Sequence, residues 1–139
     1  IRISKLDDMH GYRIGTIQND VRELYLVSKG FDLSSLQRIT GTDTYERNIR
    51  KLAMGRIDLL PMPDETLTYV SKKIGFNPSL LFKRAFHLEE LSDHGYSLAA
   101  STTTDKDLIE RLRAELLRFK KTPEYQKIFE QWKMSPPKS

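Results

Sequence analysis

The sequence predicts an α/β protein: a three-layer, mainly parallel sheet flanked by helices, followed by two C-terminal helices. Three observations carry this. Short runs rich in β-branched and aromatic residues alternate with amphipathic stretches of about 10–15 residues, the pattern of successive βαβ units. Three of those amphipathic stretches stop at a glycine: Gly30, Gly55 and Gly75. The last third of the chain switches to an uninterrupted helical period.

In order, YRIGTI (12–17) reads as the first strand. In DVRELYLVSKG, Val21, Leu24, Tyr25 and Ser28 recur at helical spacing and Gly30 is the stop. LQRIT (36–40) is the second strand. GTDTYERNIRKLAMG is the second helix, capped by Thr42 or Asp43, with Tyr45, Ile49, Leu52 and Ala53 on one face. RIDLLP (56–61) is the third strand. PDETLTYVSKKIG is the third helix, with Pro63 near its start, acids in its first turn and lysines in its last. LLFKRAFHL (80–88) and YSLAAS (96–101) read as two more strands around a polar loop, EELSDHG.

The long helix TTDKDLIERLRAELLRFKK places Leu108, Ile109, Leu112, Leu116 and Phe119 on one face behind a Thr104-x-x-Asp107 capping box. TPEYQKIFEQWK restarts with Thr122 as cap and Pro123 at the first helical position. Its stripe is Tyr125, Ile128, Phe129 and Trp132. SPPKS is a tail.

With 139 residues the chain holds one domain-sized core, and 38% hydrophobic with 30% charged residues is the balance of a soluble globular protein. No apolar run approaches the roughly 20 residues that span a bilayer. No basic-then-apolar signal stands at the N-terminus, and the first residue is not Met, which reads as processing or as a piece of a longer protein. The absence of cysteine excludes disulfides, thiolate metal sites and a Cys nucleophile. The net charge of +4 is interleaved with acids, as in ERLRAELLRFKK, which is the pattern of solvated helix faces rather than of a nucleic-acid interface.

The motifs of common chemistry are missing. There is no GxGxxG or GxxxxGK[ST] phosphate loop and no GxSxG elbow. His10, His87 and His94 lie in separate segments without metal spacing, so no metal and no cofactor are expected. A receiver-type phosphorylation site needs an acidic pair after strand one, an Asp ending strand three and a Lys after strand five. Asp58 is near the start of its strand, Asp20 stands alone among the acids after strand one, and no Lys follows YSLAAS. Asp58 therefore reads as a brace for the turn that follows Gly55. The alternative is a small α/β enzyme using Asp58 or Asp64 with His87 or His94. In open parallel sheets ligands meet the C-terminal ends of the strands, which singles out Gln18–Asp20, Thr40–Thr44 and Pro61–Asp64.

Several segments resemble one family. LDDMHGYRIGTIQND resembles the dL-x-G-x-x-I-G opening of the second lobe of bacterial extracellular solute-binding proteins, and IRKLAMGRIDLL resembles their kL-x-x-G-R-x-D segment. YSLAASTTTDKDLIERLRAELLRFKKTPEYQKIFEQW resembles their ending of strand, long helix and last helix. These are the amino-acid-binding proteins (family 3) that serve ABC transporters. The likeness runs over about residues 4–134, in the family's order.

The resemblance implies a second periplasmic-binding-protein type II lobe over residues 1–103. Residues 104–134 would be C-terminal helices that in the family pack on a first lobe missing here, and 135–139 a tail. The implied function is non-enzymatic: capture of a small polar, amino-acid-like solute by hinge closure, in the periplasm or outside the cell, with a membrane transporter permease as partner. The same module also serves as a ligand-sensing domain of signalling proteins. The family holds a ligand carboxylate at the start of the lobe's first helix, here Gln18, Asn19 and Asp20, and its amino group just past the third strand, here Met62 and Asp64. With Thr42 these are the candidate ligand-binding residues. An Asp at position 20 caps its helix and repels a carboxylate, and Met62-Pro63 stands where the family has an Asp, so a cationic, neutral polar or peptide-like solute fits better. Without the first lobe, the stripe Leu112, Leu116, Phe119, Tyr125, Phe129 and Trp132 lacks its cover, at roughly 1.5–3 kcal/mol per fully exposed side chain. It is expected to repack on the lobe, to exchange with another copy or to bind a partner.

Overall fold

The computed structural model describes residues 1–92 and 98–132, and its contacts divide the chain into two units, 1–93 and 94–139. The first unit is mixed α/β around a two-stranded parallel sheet. Its strands are β1 (Gly15–Ile17) and β2 (Gln37–Ile39), in the register Gly15 to Gln37, Thr16 to Arg38 and Ile17 to Ile39. Between them lies α1 (Val21–Ser28). After β2 come α2 (Thr44–Ala53), α3 (Asp64–Lys73) and the short helical turns α4 (Pro78–Leu81) and α5 (Glu89–Ser92). The second unit contains α6 (Lys106–Phe119) and α7 (Pro123–Trp132).

The glycine stops hold. After α2, Gly55 takes φ +65°, which its missing Cβ permits at no steric cost, and its N–H bonds Leu52 O while Arg56 N–H reaches back to Lys51 O. The same pair of bonds closes α1 at Gly30–Phe31 and α3 at Gly75–Phe76. The starts hold less uniformly. Asp20 caps α1 by accepting from Arg22 N–H at 2.9 Å, and Thr122 Oγ1 accepts from Tyr125 N–H ahead of Pro123. The box expected at Thr104 and Asp107 is replaced by Asp105, whose side chain accepts from Leu108 N–H at 3.0 Å. Asp43 precedes α2 in the left-handed region without a side-chain cap bond.

The side chains of β1 alternate across the strand. Ile14 and Thr16 face α1: Ile14 packs in the main cluster with Met9, Leu26, Phe31, Leu36 and Leu59, and Thr16 meets Glu23. Gly15 faces the other way, where a Cβ would stand 2.4 Å from Ile57 Cδ1 and 3.4 Å from Asn48 Oδ1. Ile49 and Ile57 are buried at 0% and 1% exposure, so the backbone of β1 is packed from both faces.

The face of α1 differs from the expected one. Glu23 and Leu26 are buried, while Val21 and Leu24 are 62% and 56% exposed. A buried carboxylate with three kinds of donor around it turned the helix, and a pattern built on apolar spacing does not register such a residue. On α2 the buried positions are Asn48 and Ile49, with Tyr45 at the rim and Ala53 exposed.

Three expected strands are corrected. RIDLLP makes one parallel bridge, Ile14 to Leu59, through Gly15 N–H to Leu59 O at 2.9 Å. Beyond Leu59 the ladder stops, because Pro61 and Pro63 have no N–H to offer. LLFKRAFHL begins inside α4 and continues as irregular chain. Its alternation survives as a half-buried Phe82, Phe86 and Leu88, with Phe86 against the main cluster, but it pairs with no strand among the described residues. Of YSLAAS, Tyr96 and Ser97 lie outside the described residues, and Leu98–Ser101 is exposed irregular chain. The loop EELSDHG forms α5 over Glu89–Ser92, tied by Glu90 to Lys29 at 2.8 Å; His94 is outside the described residues.

In the second unit, Phe119, Tyr125 and Phe129 stack edge to face across the turn between α6 and α7, at centroid distances of 5.7 and 4.9 Å. Leu108, Leu112, Leu116 and Phe119 are exposed along α6, and Ile109 is half-buried.

The close approach at β1 gives a testable coupling. Gly15→Ala is expected to destabilise the first unit by about 1–3 kcal/mol through overpacking. Ile57→Val removes the Cδ1 methyl that the new Cβ meets, so the double variant should recover part of that loss. Urea unfolding of the two single variants and the double checks this, and strictly additive losses would refute the contact.

Candidate functional site

The site forms where β1 ends and α1 begins. Gln18 N–H continues the sheet ladder to Ile39 O at 3.0 Å. Asn19 then takes φ +61°, a left-handed conformation that Asn tolerates better than most residues. This turn aims its N–H at Glu23, three residues into α1. Glu23 is 1% exposed. Its Oε1 accepts from Asn19 N–H at 2.9 Å and from Arg38 Nη2 at 3.0 Å, and its Oε2 accepts from Thr16 Oγ1 at 2.7 Å and from Arg38 Nε at 2.9 Å. Burial pushes the carboxyl up, but Arg38, Thr16 and the Asn19 N–H outweigh it and hold it below its ordinary value.

One turn closer to the strand end stands a second pair. Asp20 Oδ1 accepts from Arg22 N–H and from Arg22 Nε at 2.5 Å, and its Oδ2 accepts from Arg22 Nη2 at 2.5 Å. Arg22 Nη2 also donates to Tyr45 Oη at 3.2 Å, and the guanidinium lies 5.6 Å from the Tyr45 ring centre. The Arg22 guanidinium keeps the Asp20 carboxyl below the usual range, and Asp20 raises Arg22 in turn.

Asp20 and Arg22 border a cavity of ≈10 Å³, room for about one water-sized group. Thr16 and Ile17 of β1, Tyr45 and Asn48 of α2, and the segment Leu60–Met62 complete it. Asn48 is fully buried, with Nδ2 donating to Thr16 O at 3.2 Å and Oδ1 receiving no hydrogen bond. A wider cleft of ≈260 Å³ lies alongside, between the start of α2 and α3, and shares Tyr45. Its Lys73 is paired with Glu46 at 2.8 Å.

Of the candidate ligand-binding residues, Asp20 and Met62 meet at the small cavity. Gln18 and Asn19 are exposed in the turn that leads to it. Thr42 is exposed ahead of α2, and Asp64 sits at the start of α3 in an ion pair with Arg84; neither borders the cavity. The sequence reading passed over Arg22, Tyr45, Asn48 and Thr16. One signal was available: Tyr45, Asn48, Ile49 and Leu52 follow a helical face, which puts a polar Asn48 among inward positions.

Asp58 is a brace, although its partner is distant in sequence. It accepts from Arg13 N–H at 2.9 Å, Arg13 Nε at 2.9 Å and Arg13 Nη2 at 2.7 Å, while Nη2 also bonds Gly55 O. The guanidinium and the backbone N–H together hold the Asp58 carboxyl at about 2. A carboxylate so engaged is a poor proton acceptor near neutral pH. His10 stacks on Phe31 at 3.9 Å, and no group of three potential metal ligands occurs among the described residues.

These contacts predict an acid response. Asp58 has a folded value near 2 against an ordinary 3.8, so its contribution is fully present above the unfolded value and is lost as pH falls from about 4 towards 2. Glu23 acts in the same direction. Thermal melts between pH 2 and 6 should fall steeply in that window, and Arg13→Met should flatten the Asp58 part of the slope. Glu23→Gln is expected to cost about 1–3 kcal/mol at neutral pH, because a single amide oxygen replaces two acceptors facing buried donors. An unchanged midpoint would show that the Glu23 contacts contribute nothing.

The sequence matches no protein-family model, no curated protein and no solved structure.

Proposed function

We propose that the first unit is one lobe of a solute-binding cleft, of the periplasmic ABC-transporter type, and that it captures a small polar, amino-acid-like solute without making or breaking a bond. The observation that carries the reading is the small cavity at the C-terminal end of β1, beside the start of α1, where Asp20 and Arg22 meet Ile17, Leu60 and Met62. That is where open parallel sheets bind ligands, and it is where the segments resembling solute-binding proteins place theirs. The charge balance refines the solute. Asp20 and Arg22 neutralise each other at 2.5 Å, so the site offers no free cation to a ligand carboxylate.

The finer architecture belongs to the same proposal. The unit corresponds to the second lobe of a three-layer fold, and a first lobe closes over it by hinge motion, shifting an open–closed population that a membrane permease reads. The exposed leucines of α6 suit helices that rest on such a lobe. The periplasm or the outer cell surface is the proposed location.

A thermal-shift screen of the intact protein against amino acids, polyamines and short peptides tests this. A true ligand at 100 times its Kd should add about 2.7 kcal/mol of stability. It should also perturb the amides of residues 17–22 and 45–48. A panel in which no compound moves either the midpoint or those amides overturns the reading.

A further inference from the structure

The wider cleft of ≈260 Å³ joins the start of α2, with Asp43, Tyr45 and Glu46, to the second half of α3, with Tyr69, Val70 and Lys73. Asp43 takes φ +54°, and its side chain makes no cap bond to α2. An Asp at a helix start ordinarily engages the first N–H groups, so this carboxylate keeps its charge for other partners. Glu46 is paired with Lys73 at 2.8 Å. That hydrogen bond and the Glu46 charge hold the Lys73 ammonium above its ordinary value, with Tyr69 and Asp43 adding to the effect and burial opposing it. Asp43 therefore lies within electrostatic reach of Lys73. Two carboxylates border the cleft against one ammonium, and the surplus charge is negative.

The aromatic residues supply the second condition. Tyr45 already meets the Arg22 guanidinium, 5.6 Å from its ring centre, and accepts from it through the hydroxyl. Tyr69 is 58% exposed, and Val70 adds a buried apolar surface. A carboxylate beside an exposed ring favours a cation whose charge is spread over alkyl groups, because the ring face attracts the charge and the methyl groups give up water readily. The N-terminal end of α2 and the C-terminal half of α3 present opposed dipoles here, so the side chains decide the sign. The volume suits one small free molecule.

We propose that this cleft is a binding site for a small alkylammonium compound, with Asp43 as its counter-ion and the Tyr69 ring as the face over which the cation lies. The site is separate from the cavity at the end of β1 and does not rest on the solute-binding reading.

The test titrates the ¹⁵N-labelled full chain, at constant ionic strength, with three probes of similar shape: tetramethylammonium, tert-butanol and pivalate. Tetramethylammonium should shift the amides of residues 43–46 and 69–73 saturably, and the other two should leave them still. Asp43→Asn and Tyr69→Leu should each weaken binding about two- to fivefold, the range of an exposed ion pair or cation–π contact. Lys73→Met should strengthen binding, since it releases Glu46 to the ligand, whereas a residue that only held the two helices together would weaken it. If a variant does not fold, the selectivity of the wild-type protein among the three probes decides. No saturable shift with tetramethylammonium, an equal response to tert-butanol or pivalate, or unchanged affinity in a folded Asp43→Asn overturns the proposal. Shifts confined to residues 17–22 overturn it as well, by placing the cation at the β1 cavity. The two readings fail separately: a solute that moves residues 17–22 while tetramethylammonium moves nothing removes this site alone, and a response at 69–73 with no solute in the screen leaves this site and removes the other.

Discussion

The first unit depends on one buried carboxylate. Glu23 sits at 1% exposure with both oxygens occupied, and its donors come from β1, from the turn after it and from β2. A two-stranded sheet has little cohesion of its own. Here the strands are held in register by their ladder and also by a shared anion, with α1 carrying it. The cost of desolvating that charge is offset because Arg38 approaches with two N–H groups and keeps part of its own surface in water. The contact also decides the rotation of α1. Turning Glu23 inward moves Leu26 into the core and leaves Val21 and Leu24 outside.

The same turn builds the site. Asn19 must adopt its left-handed conformation for its N–H to reach Glu23, and this conformation delivers Asp20 to the helix cap and to Arg22. Two charge pairs thus stand one turn apart with different tasks. The inner one fixes the backbone. The outer one joins Asp20 to Arg22, so the cavity has a pre-arranged and nearly neutral wall rather than an open charge.

Much of this was legible in the sequence wherever the cause is local. Gly30, Gly55 and Gly75 marked three helix ends because each closure is set by residues within one turn. Asp20, Thr122 and Pro123 marked helix starts for the same reason. The strands were less legible. LLFKRAFHL alternates as a strand should, but alternation reports which side chains face inward and says nothing about whether a neighbouring chain offers hydrogen bonds. The site was half legible: Asp20 and Met62 were reached through strand-end logic, whereas Asn48, Arg22 and Tyr45 matter through contacts across elements. Asp58 shows the same limit. Its role as a brace followed from its place after Gly55, and its partner Arg13 stands 45 positions away.

The prolines after Leu59 have a consequence for solubility. Leu59 lies against β1 on the side away from β2, and the chain that follows would otherwise present a row of amide donors and carbonyls to any passing strand. A short sheet with an open, apolar edge is a template for association between copies. Pro61 and Pro63 end the pairing of this segment after a single bridge, so the edge offered to an incoming strand is too short to hold a ladder. The residues that cut the sheet short are also those that keep it from growing between molecules.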